Sequence, residues 1–248
     1  MGTYNVCGAK RKRRDLQYML GEEKIDVLAV QETLLKDTDW ALEIPGYFAF
    51  QVCGGQTTSE RGVALVVRMG YNGYVVGESS PFFVMARISG RGISQPVIVG
   101  SVYIPHDRHA RAQELLMAQV HRITVEYPND PVILMGDWNM DAQQLHRFLE
   151  DWPIQCARRG VQGNQRTRNS VRGRQIDGMV CKIMGAGQPH IPLGRVQRRW
   201  DMSDHYLVKW TVSLKVMDNL QGGQEPIPAQ LPRIDLAKLL GEDSVERR

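Results

Sequence analysis

Short apolar runs recur along the whole chain, and most are bounded by glycine or polar residues. Runs of about four to eight apolar residues, rich in valine and isoleucine, are typical of strands buried on both faces. The pattern predicts strands at Thr3–Val6, Val27–Val30, Gly62–Val67, Val97–Tyr103, Val132–Met135, Ile176–Val180 and Tyr206–Val212.

Helical periodicity lies between several of these runs. Residues 110–123 place apolar side chains on one stripe, as an amphipathic helix requires; they are Ala112, Leu116, Val120 and Ile123. Shorter helices are predicted at Arg11–Leu20 and at Asp141–Leu149, the second capped by Asp141. Gly54–Gln56 and Gly70–Gly77 are rich in turn residues and are expected to connect hairpins. Strands interleaved with a few surface helices indicate an α/β fold with two packed sheets and helices outside.

The composition changes near Val216, and this predicts how the chain is organised. A chain of 248 residues is long enough for one large core. Beyond Val216 the sequence becomes rich in turn residues, with Gly222, Gly223, Pro226, Pro228 and Pro232, followed by an amphipathic segment at Ile234–Leu240. We therefore expect one domain at residues 1–214 and a Pro- and Gly-containing tail at residues 215–248.

The distribution of charge and the spacing of the cysteines narrow the classes of function that the chain can have. The net charge is +4, but residues 215–248 hold five basic and six acidic residues, which leaves 26 basic and 21 acidic residues, or +5, in the first 214. A basic body favours a polyanionic partner. The four cysteines form no CxxC pair, so they indicate neither a zinc site nor a disulfide framework. No apolar stretch approaches the roughly 20 residues that span a bilayer, so we expect no membrane partner and an intracellular protein.

The most informative stretch is the abrupt end of the run Pro131–Met135 at Gly136-Asp137-Trp138-Asn139. Asp137 and Asn139 are two residues apart, so on an extended backbone both side chains emerge on one side. A carboxylate and an amide at a strand end can handle a proton and orient a substrate. The alternative is that Asp137 is polar decoration before a helix that Asp141 caps.

Polar residues also follow other apolar runs, and their recurrence favours a functional site. They are Asn5, Gln31-Glu32, Tyr103, Asp177 and Ser203-Asp204-His205. Any one of them could simply face solvent at a strand end. Five such endings together with Gly136–Asn139 indicate a constellation assembled at one edge of the sheets.

In this order the motifs resemble those of the endonuclease/exonuclease/phosphatase family, which includes abasic-site endonucleases and pancreatic-type DNase. They stand as Thr3-Tyr4-Asn5-Val6, Gln31-Glu32-Thr33, Val102-Tyr103-Ile104-Pro105, Gly136-Asp137-Trp138-Asn139, Gln175-Ile176-Asp177 and Ser203-Asp204-His205. The resemblance covers about residues 1–214. It implies a DNase I-like, four-layered α/β sandwich in which two packed mixed β-sheets are flanked by helices, and a divalent-metal site at the strand ends.

The resemblance also implies roles in phosphodiester hydrolysis. The cofactor would be Mg²⁺, with Mn²⁺ as an alternative, held by Glu32, Asn5 and Asp204, because Mg²⁺ prefers a few hard oxygen ligands. Tyr103 and Asn139 would donate hydrogen bonds to the phosphate, where charge grows in the transition state. Asp177 would hold the ring of His205. Whether Asp137 or His205 is the general base stays open.

An arginine-rich segment favours DNA as the substrate. Residues 156–175 hold six arginines and no acid, and Arg195, Arg198 and Arg199 precede Ser203. Because arginine neutralises phosphates, these segments are expected to border the active cleft, although a solvated charge run would look similar. The predicted contacts with double-stranded DNA are Arg158, Arg159, Arg166, Thr167, Arg168, Arg172, Arg174, Arg198 and Arg199.

Within the family, the sequence is most similar to the endonuclease domains of non-LTR retrotransposons. Val102–His106, Trp200–His205 and the tail segment Pro232–Leu240 carry this likeness. It implies a nuclear enzyme that nicks target DNA and leaves a 3′-hydroxyl for target-primed reverse transcription, with a reverse transcriptase following the tail. The alternatives are an abasic-site repair endonuclease, a small-molecule phosphoesterase and a DNA-binding module without catalysis. Cys7 stands where some repair enzymes of the family carry an acidic metal-site residue, which weakens the repair assignment.

Overall fold

A computed structural model describes residues 1–39, 41–54, 61–152, 154–169, 173–183 and 190–213. Arg172, residues 215–248 and part of the Gly54–Gln56 turn lie outside the described residues, so the predictions made for them stay predictions. The boundary between a domain at 1–214 and a tail is likewise a prediction.

The described residues form runs of strands interrupted by a few helices. The strands are β1 (Gly2–Asn5), β2 (Val27–Gln31), β3 (Tyr47–Val52), β4 (Val63–Arg68), β5 (Tyr71–Val75), β6 (Phe83–Gly90), β7 (Ile93–Tyr103), β8 (Val132–Asp137), β9 (Cys156–Arg159), β10 (Asp177–Lys182), β11 (Arg195–Gln197) and β12 (Leu207–Lys209). The helices are α1 (Arg13–Glu22), α2 (His109–Glu126) and α3 (Ala142–Glu150), with a 3₁₀ turn at Gln162–Asn164. None of these helices is long and apolar enough to cross a membrane.

The strands make two mixed six-stranded sheets that pack face to face. One sheet has the order β11-β12-β1-β2-β4-β3 and the other β5-β6-β7-β8-β10-β9. An apolar core between the sheets contains Leu65, Val99 and Met135. A second core joins α2 and α3 to the outer face of the β8 sheet, and a third joins α1 to the outer face of the β1 sheet. The result is the four-layered α/β sandwich that the motifs predict.

Strand pairing brings the polar strand ends together. β1 runs parallel to β2, with Asn5 beside Gln31, and β7 runs parallel to β8, with Tyr103 beside Asp137. Because parallel strands end at the same edge of a sheet, the residues that follow them share one mouth. β10 is antiparallel to β8 and begins opposite the end of β8, so Asp177 pairs with Asp137. The register therefore converts six separate motifs into one site.

The predicted elements are present, with shifted bounds. Asp141 caps α3 through a capping box with Gln144, and the last predicted strand, Tyr206–Val212, is shorter, at Leu207–Lys209. The pattern missed β3, β5, β6, β9 and β11, which are edge strands or carry polar residues.

The prediction of a hairpin connection at Gly70–Gly77 is wrong, because Tyr71–Val75 is a strand. A Cβ at Gly73 would lie 2.8 Å from Ile88 Cδ1, so the glycine reflects close packing and not a turn.

Candidate active site

The polar strand ends surround a cavity of about 470 Å³. Its lining includes Glu32, Tyr103, Asp137, Asn139, Asp204 and His205, together with the basic side chains of Lys12, Arg61, His106 and Arg168. The first six were predicted as site residues from the sequence. The fold therefore brings to one cavity residues that are far apart in the chain. Glu32 and His205, for example, are separated by 173 positions.

Asp137 lies at the floor of this cavity, fully buried at the end of β8. Gly136 allows the neighbouring strand to approach closely, since a Cβ there would lie 1.8 Å from the Val102 carbonyl oxygen. Asp137 Oδ1 accepts a hydrogen bond from the Asn139 backbone N–H at 3.1 Å. Burial and then the nearby Asp177 charge raise the pKa of Asp137 to about 7. A buried carboxyl group of this kind can exchange a proton near neutral pH.

His205 is also buried, and it lies between two carboxylates. Its Nδ1 is 2.9 Å from Asp177 Oδ2, and its Nε2 is 3.8 Å from Asp137 Oδ2. Burial opposes the charged ring, but the charge and hydrogen bond of Asp177 and the charges of Asp137 and Asp204 together outweigh it and raise the pKa of His205 to about 9. The ring is therefore held as a cation at neutral pH, with Nδ1 directed to Asp177.

Thr167 fixes the start of β10 beneath this pair. Its Oγ1 accepts hydrogen bonds from the Ile176 and Asp177 backbone N–H groups, each at 3.1 Å, and the residue is completely buried. The sequence prediction that Thr167 contacts DNA is therefore wrong, because no part of it reaches the surface. Thr167 instead orients Asp177 toward His205.

Asn5 links the two carboxylates of the site. Its Nδ2 donates to Asp137 Oδ2 at 2.9 Å and to Glu32 Oε1 at 3.0 Å, while its Oδ1 accepts from the Cys7 backbone N–H at 3.2 Å. Asn5 is 1% exposed. This geometry makes Asn5 a bridge that positions Glu32 and Asp137. That Asn5 also binds the metal stays a prediction.

Glu32 follows β2 with a positive φ of 50°. It lines the cavity together with Tyr103 and Asn139. Its Oε2 forms an ion pair with Arg61. Burial, and then the Glu32 charge, raise the pKa of Tyr103 far above its ordinary value, so the phenol stays neutral and can donate a hydrogen bond. Asn139 Nδ2 donates to the Ile104 carbonyl at 2.9 Å, which fixes the amide at the cavity wall.

Asp204 is the exposed member of the set. Its Oδ2 lies 3.0 Å from Arg168 Nε. Burial opposes ionisation, but His205 and Arg168 together lower the pKa of Asp204. Asp204 therefore presents an ionised carboxylate to the cavity.

The metal assignment rests on the donors around the cavity. Within the described ranges, the tight group of ligand-type side chains is Asp137, Asp177 and His205, whose ligand atoms lie within 4.8 Å of one another. Glu32 and Asp204 both line the cavity and supply hard carboxylate oxygens. That Glu32 and Asp204 bind the metal stays a prediction.

The predicted DNA contacts divide into three groups. Arg166, Arg168 and Arg198 line a depression of about 400 Å³, which also shares Arg168 with the main cavity. Arg174 is exposed. Arg158 and Arg159 lie on edge strand β9 and are half-buried, so they belong to a strand and not to the predicted loop.

Arg199 is held away from the mouth. Its Nη2 lies 2.7 Å from Glu23 Oε1, and Glu23 also binds Lys209 Nζ at 2.8 Å. Lys209 pairs with Gly2, at the start of β1 and so at the edge opposite Asn5. Arg199 is not among the residues that line the cavity, and its pairing with Glu23 favours a structural role. That it contacts DNA stays an untested prediction.

Lys12, Arg61 and His106 were not identified as cavity residues from the sequence. Arg61 stands just before β4, where nothing in the local sequence signals a partner. Its partner Glu32 is 29 positions away and is revealed only by the pairing of β2 with β4. His106 follows Pro105 directly, and that motif was the available signal.

Comparison with known proteins agrees with this geometry. The model of the endonuclease/exonuclease/phosphatase family matches residues 2–205. No curated protein has a matching sequence.

Solved structures of similar fold include proteins with different activities. One is the endonuclease domain of TRAS1, a telomere-specific non-LTR retrotransposon, with 18% identity, 86% of this chain and 97% of that chain covered, and a TM-score of 0.63. Another is the AP endonuclease LMAP from Leishmania major, with 14% identity, coverage of 85% and 86%, and a TM-score of 0.67. A third is the mannosyl-6-phosphatase of Bacteroides thetaiotaomicron, with 15% identity, coverage of 85% and 98%, and a TM-score of 0.60. At such identities these likenesses show the fold alone.

Proposed function

Because the chain belongs to the endonuclease/exonuclease/phosphatase family, we propose that it is a Mg²⁺-dependent endonuclease that hydrolyses one phosphodiester bond in double-stranded DNA. The observation that carries the proposal is the buried Asp177–His205–Asp137 arrangement at the floor of a cavity with basic walls. A cation and a carboxyl group that titrates near neutral pH stand side by side where a phosphate can enter.

The order of the two pKa values supports separate roles for these groups. With its pKa near 9, His205 is a hydrogen-bond donor that stabilises negative charge on the phosphate. With its pKa near 7, Asp137 can accept a proton from the attacking water. We therefore assign the base to Asp137 and the charge-stabilising group to His205, with Asp177 positioning the ring.

The residues that line the cavity also fit a Mg²⁺ ion. Glu32 and Asp204 supply carboxylate oxygens, and each already pairs with a guanidinium group, which supports a role for them in binding a cation. When bound, the ion would neutralise phosphate charge and act as a Lewis acid. Tyr103, neutral because of its raised pKa, would donate to a phosphate oxygen there.

The arginines support DNA over a small phosphoester. The depression lined by Arg166, Arg168 and Arg198 joins the main cavity through Arg168, so a chain of phosphates can lie across both. Neutralisation of several neighbouring phosphates suits a polymer backbone.

We further propose that the chain acts in the nucleus as the endonuclease of a non-LTR retrotransposon, nicking target DNA to leave a 3′-hydroxyl primer. Support comes from the motifs Val102–His106 and Trp200–His205, from the tail segment that resembles a connection to a reverse transcriptase, and from Cys7. Telomere-specific retrotransposition is a property of TRAS1 and is not carried over.

Conversion of supercoiled plasmid to open circle tests the activity. We expect nicking with Mg²⁺ or Mn²⁺ and none in EDTA. His205→Ala and Asp137→Ala should each lower the rate by about 10²–10⁴-fold. His146→Ala, which alters an exposed histidine on α3 paired with Glu150, is the matched control and should nick like the wild type. Undiminished nicking by both site variants would refute the proposed mechanism.

A comparison of substrates tests to which branch of the family the chain belongs. The retrotransposon assignment predicts equal or better nicking of intact duplex than of an abasic duplex, and product ends that a polymerase can extend. Strong preference for the abasic duplex would establish the repair enzyme. Phosphate release from inositol phosphates without plasmid nicking would establish the small-molecule phosphoesterase.

A further inference from the structure

Both oxygens of the Glu32 carboxylate are engaged by cationic or amide donors. Oε1 accepts a hydrogen bond from Asn5 Nδ2 at 3.0 Å, and Oε2 forms the ion pair with Arg61. The Glu32 side chain is 9% exposed, whereas the Arg61 side chain is 47% exposed. Arg61 therefore covers the open side of a carboxylate that otherwise faces the protein interior.

The backbone of Arg61 is fixed against the segment that carries Glu32. The Leu34 N–H donates to the Arg61 carbonyl at 2.9 Å, and the Thr33 N–H donates to the Gly62 carbonyl at 3.2 Å. These bonds keep the guanidinium within reach of Glu32. A movement of Arg61 is consequently a movement of its side chain alone.

A divalent cation and Arg61 compete for the same oxygen. An ion that enters from the cavity approaches Oε2, where Arg61 is the charged and largely exposed partner, whereas Oε1 is bound by Asn5, which is buried and bonded to Asp137 as well. Two cations at one carboxylate also repel each other in a partly desolvated site. Arg61 is therefore the group that leaves when the ion enters.

The displaced guanidinium stays at the cavity that His205 and Asp137 also line. Its planar fork suits two oxygens of one phosphate group. We propose that Arg61 is an exchangeable counterion: it neutralises Glu32 in the metal-free site, and binds a phosphate group of the nucleic acid once a divalent ion takes its place. This inference rests on the proposed function. It predicts that binding of the metal ion and binding of DNA strengthen each other. The Asp204–Arg168 pair, which lines the same cavity, is a second carboxylate paired with an arginine.

Calorimetric titration with Mg²⁺ in the absence of DNA tests the exchange directly. Arg61→Ala should bind Mg²⁺ at least about fivefold more tightly than the wild type, as expected for loss of a competing charge. Arg61→Lys, which keeps the charge without the fork, should lie between them. The matched control is Arg122→Ala, which removes the same charge from a glutamate-paired arginine that is 56% exposed on α2. It should bind Mg²⁺ like the wild type.

Fluorescence anisotropy with a nuclease-resistant phosphorothioate duplex tests whether the displaced Arg61 binds the nucleic acid. Mg²⁺ should tighten duplex binding by the wild type and by Arg122→Ala, but much less by Arg61→Ala. Unchanged or weaker Mg²⁺ affinity in Arg61→Ala would overturn the proposal, as would a full Mg²⁺-dependent gain in that variant. If the wild type fails to nick plasmid while Arg61→Ala still binds Mg²⁺ more tightly, the nuclease assignment falls and the exchange stands.

Discussion

The stability of Asp137→Asn relative to the wild type should increase as the pH rises, and the variant should be inactive. Asp137 is fully buried, and burial with the nearby Asp177 charge raises its pKa from 3.8 to about 7. Between these values the folded protein retains a proton that the unfolded chain has released. Rising pH therefore weakens wild-type folding over that window, whereas the neutral asparagine has no such dependence.

The size of the effect follows from the proton difference. Between about pH 4.5 and pH 6.5, the folded state holds nearly one more proton than the unfolded state, and each pH unit is worth about 1.4 kcal/mol. The free energy of unfolding of Asp137→Asn relative to the wild type should consequently rise by about 2 kcal/mol across that range. His205 contributes little in this window, because its pKa is about 9 when folded and near 6.5 when unfolded.

Urea unfolding followed by tryptophan fluorescence, in EDTA at several pH values, measures this difference. Hydrogen bonds lost with the substitution change the offset between the two curves but not their pH dependence. Asp141→Asn is the control, because the cap of α3 lies at the surface and asparagine is also a good N-cap. Parallel curves for Asp137→Asn and the wild type would refute the assignment of Asp137 as a group that titrates near neutral pH.

Three further predictions follow from the site. Asp177→Asn removes the carboxylate that contributes most to raising the pKa of His205, so NMR titration should show that pKa falling from about 9; an unchanged pKa would contradict the pairing. Arg168→Ala should weaken duplex binding and reduce by about one the slope of the logarithm of the binding constant against the logarithm of the salt concentration. Arg199→Ala, at the opposite edge, should change neither the affinity nor this slope. Equal losses in the two variants would contradict the claim that Arg168 acts through its place at the cavity. Thr167→Val should cost about 1–3 kcal/mol in urea unfolding, because two buried N–H groups lose their acceptor, and it should leave the duplex affinity of the folded protein unchanged.

The sequence predicted the polar site because each motif stands at the end of an apolar run. Asn5, Glu32, Tyr103 and Asp137 all follow strands whose buried residues make a clear pattern, and parallel pairing then brings their ends together. The fold class followed from the same alternation. No separate knowledge of the partners was needed, because the sheet supplies the convergence.

The surface chemistry could not be predicted in the same way. Arg61 and Arg199 are both exposed arginines in the sequence, but one binds Glu32 at the mouth and the other binds Glu23 at the far edge. Thr167 lies among arginines and yet is buried, because its neighbours in space are the backbone amides that begin β10. Such assignments depend on long-range pairing, and charge density along the chain carries no information about it.

The connection between the two halves of the site is a single amide. Asn5 Nδ2 donates to Glu32 on the metal side and to Asp137 on the proton side, so neither carboxylate can shift without changing the bond to the other. The hydrogen bond to Asp137 favours its ionised form, opposing the burial that raises the pKa of Asp137. Displacement of Arg61 by a divalent ion would leave this amide bonded to Glu32 Oε1. We therefore expect occupation of the Glu32 site to change the proton affinity of Asp137 through the Asn5 amide.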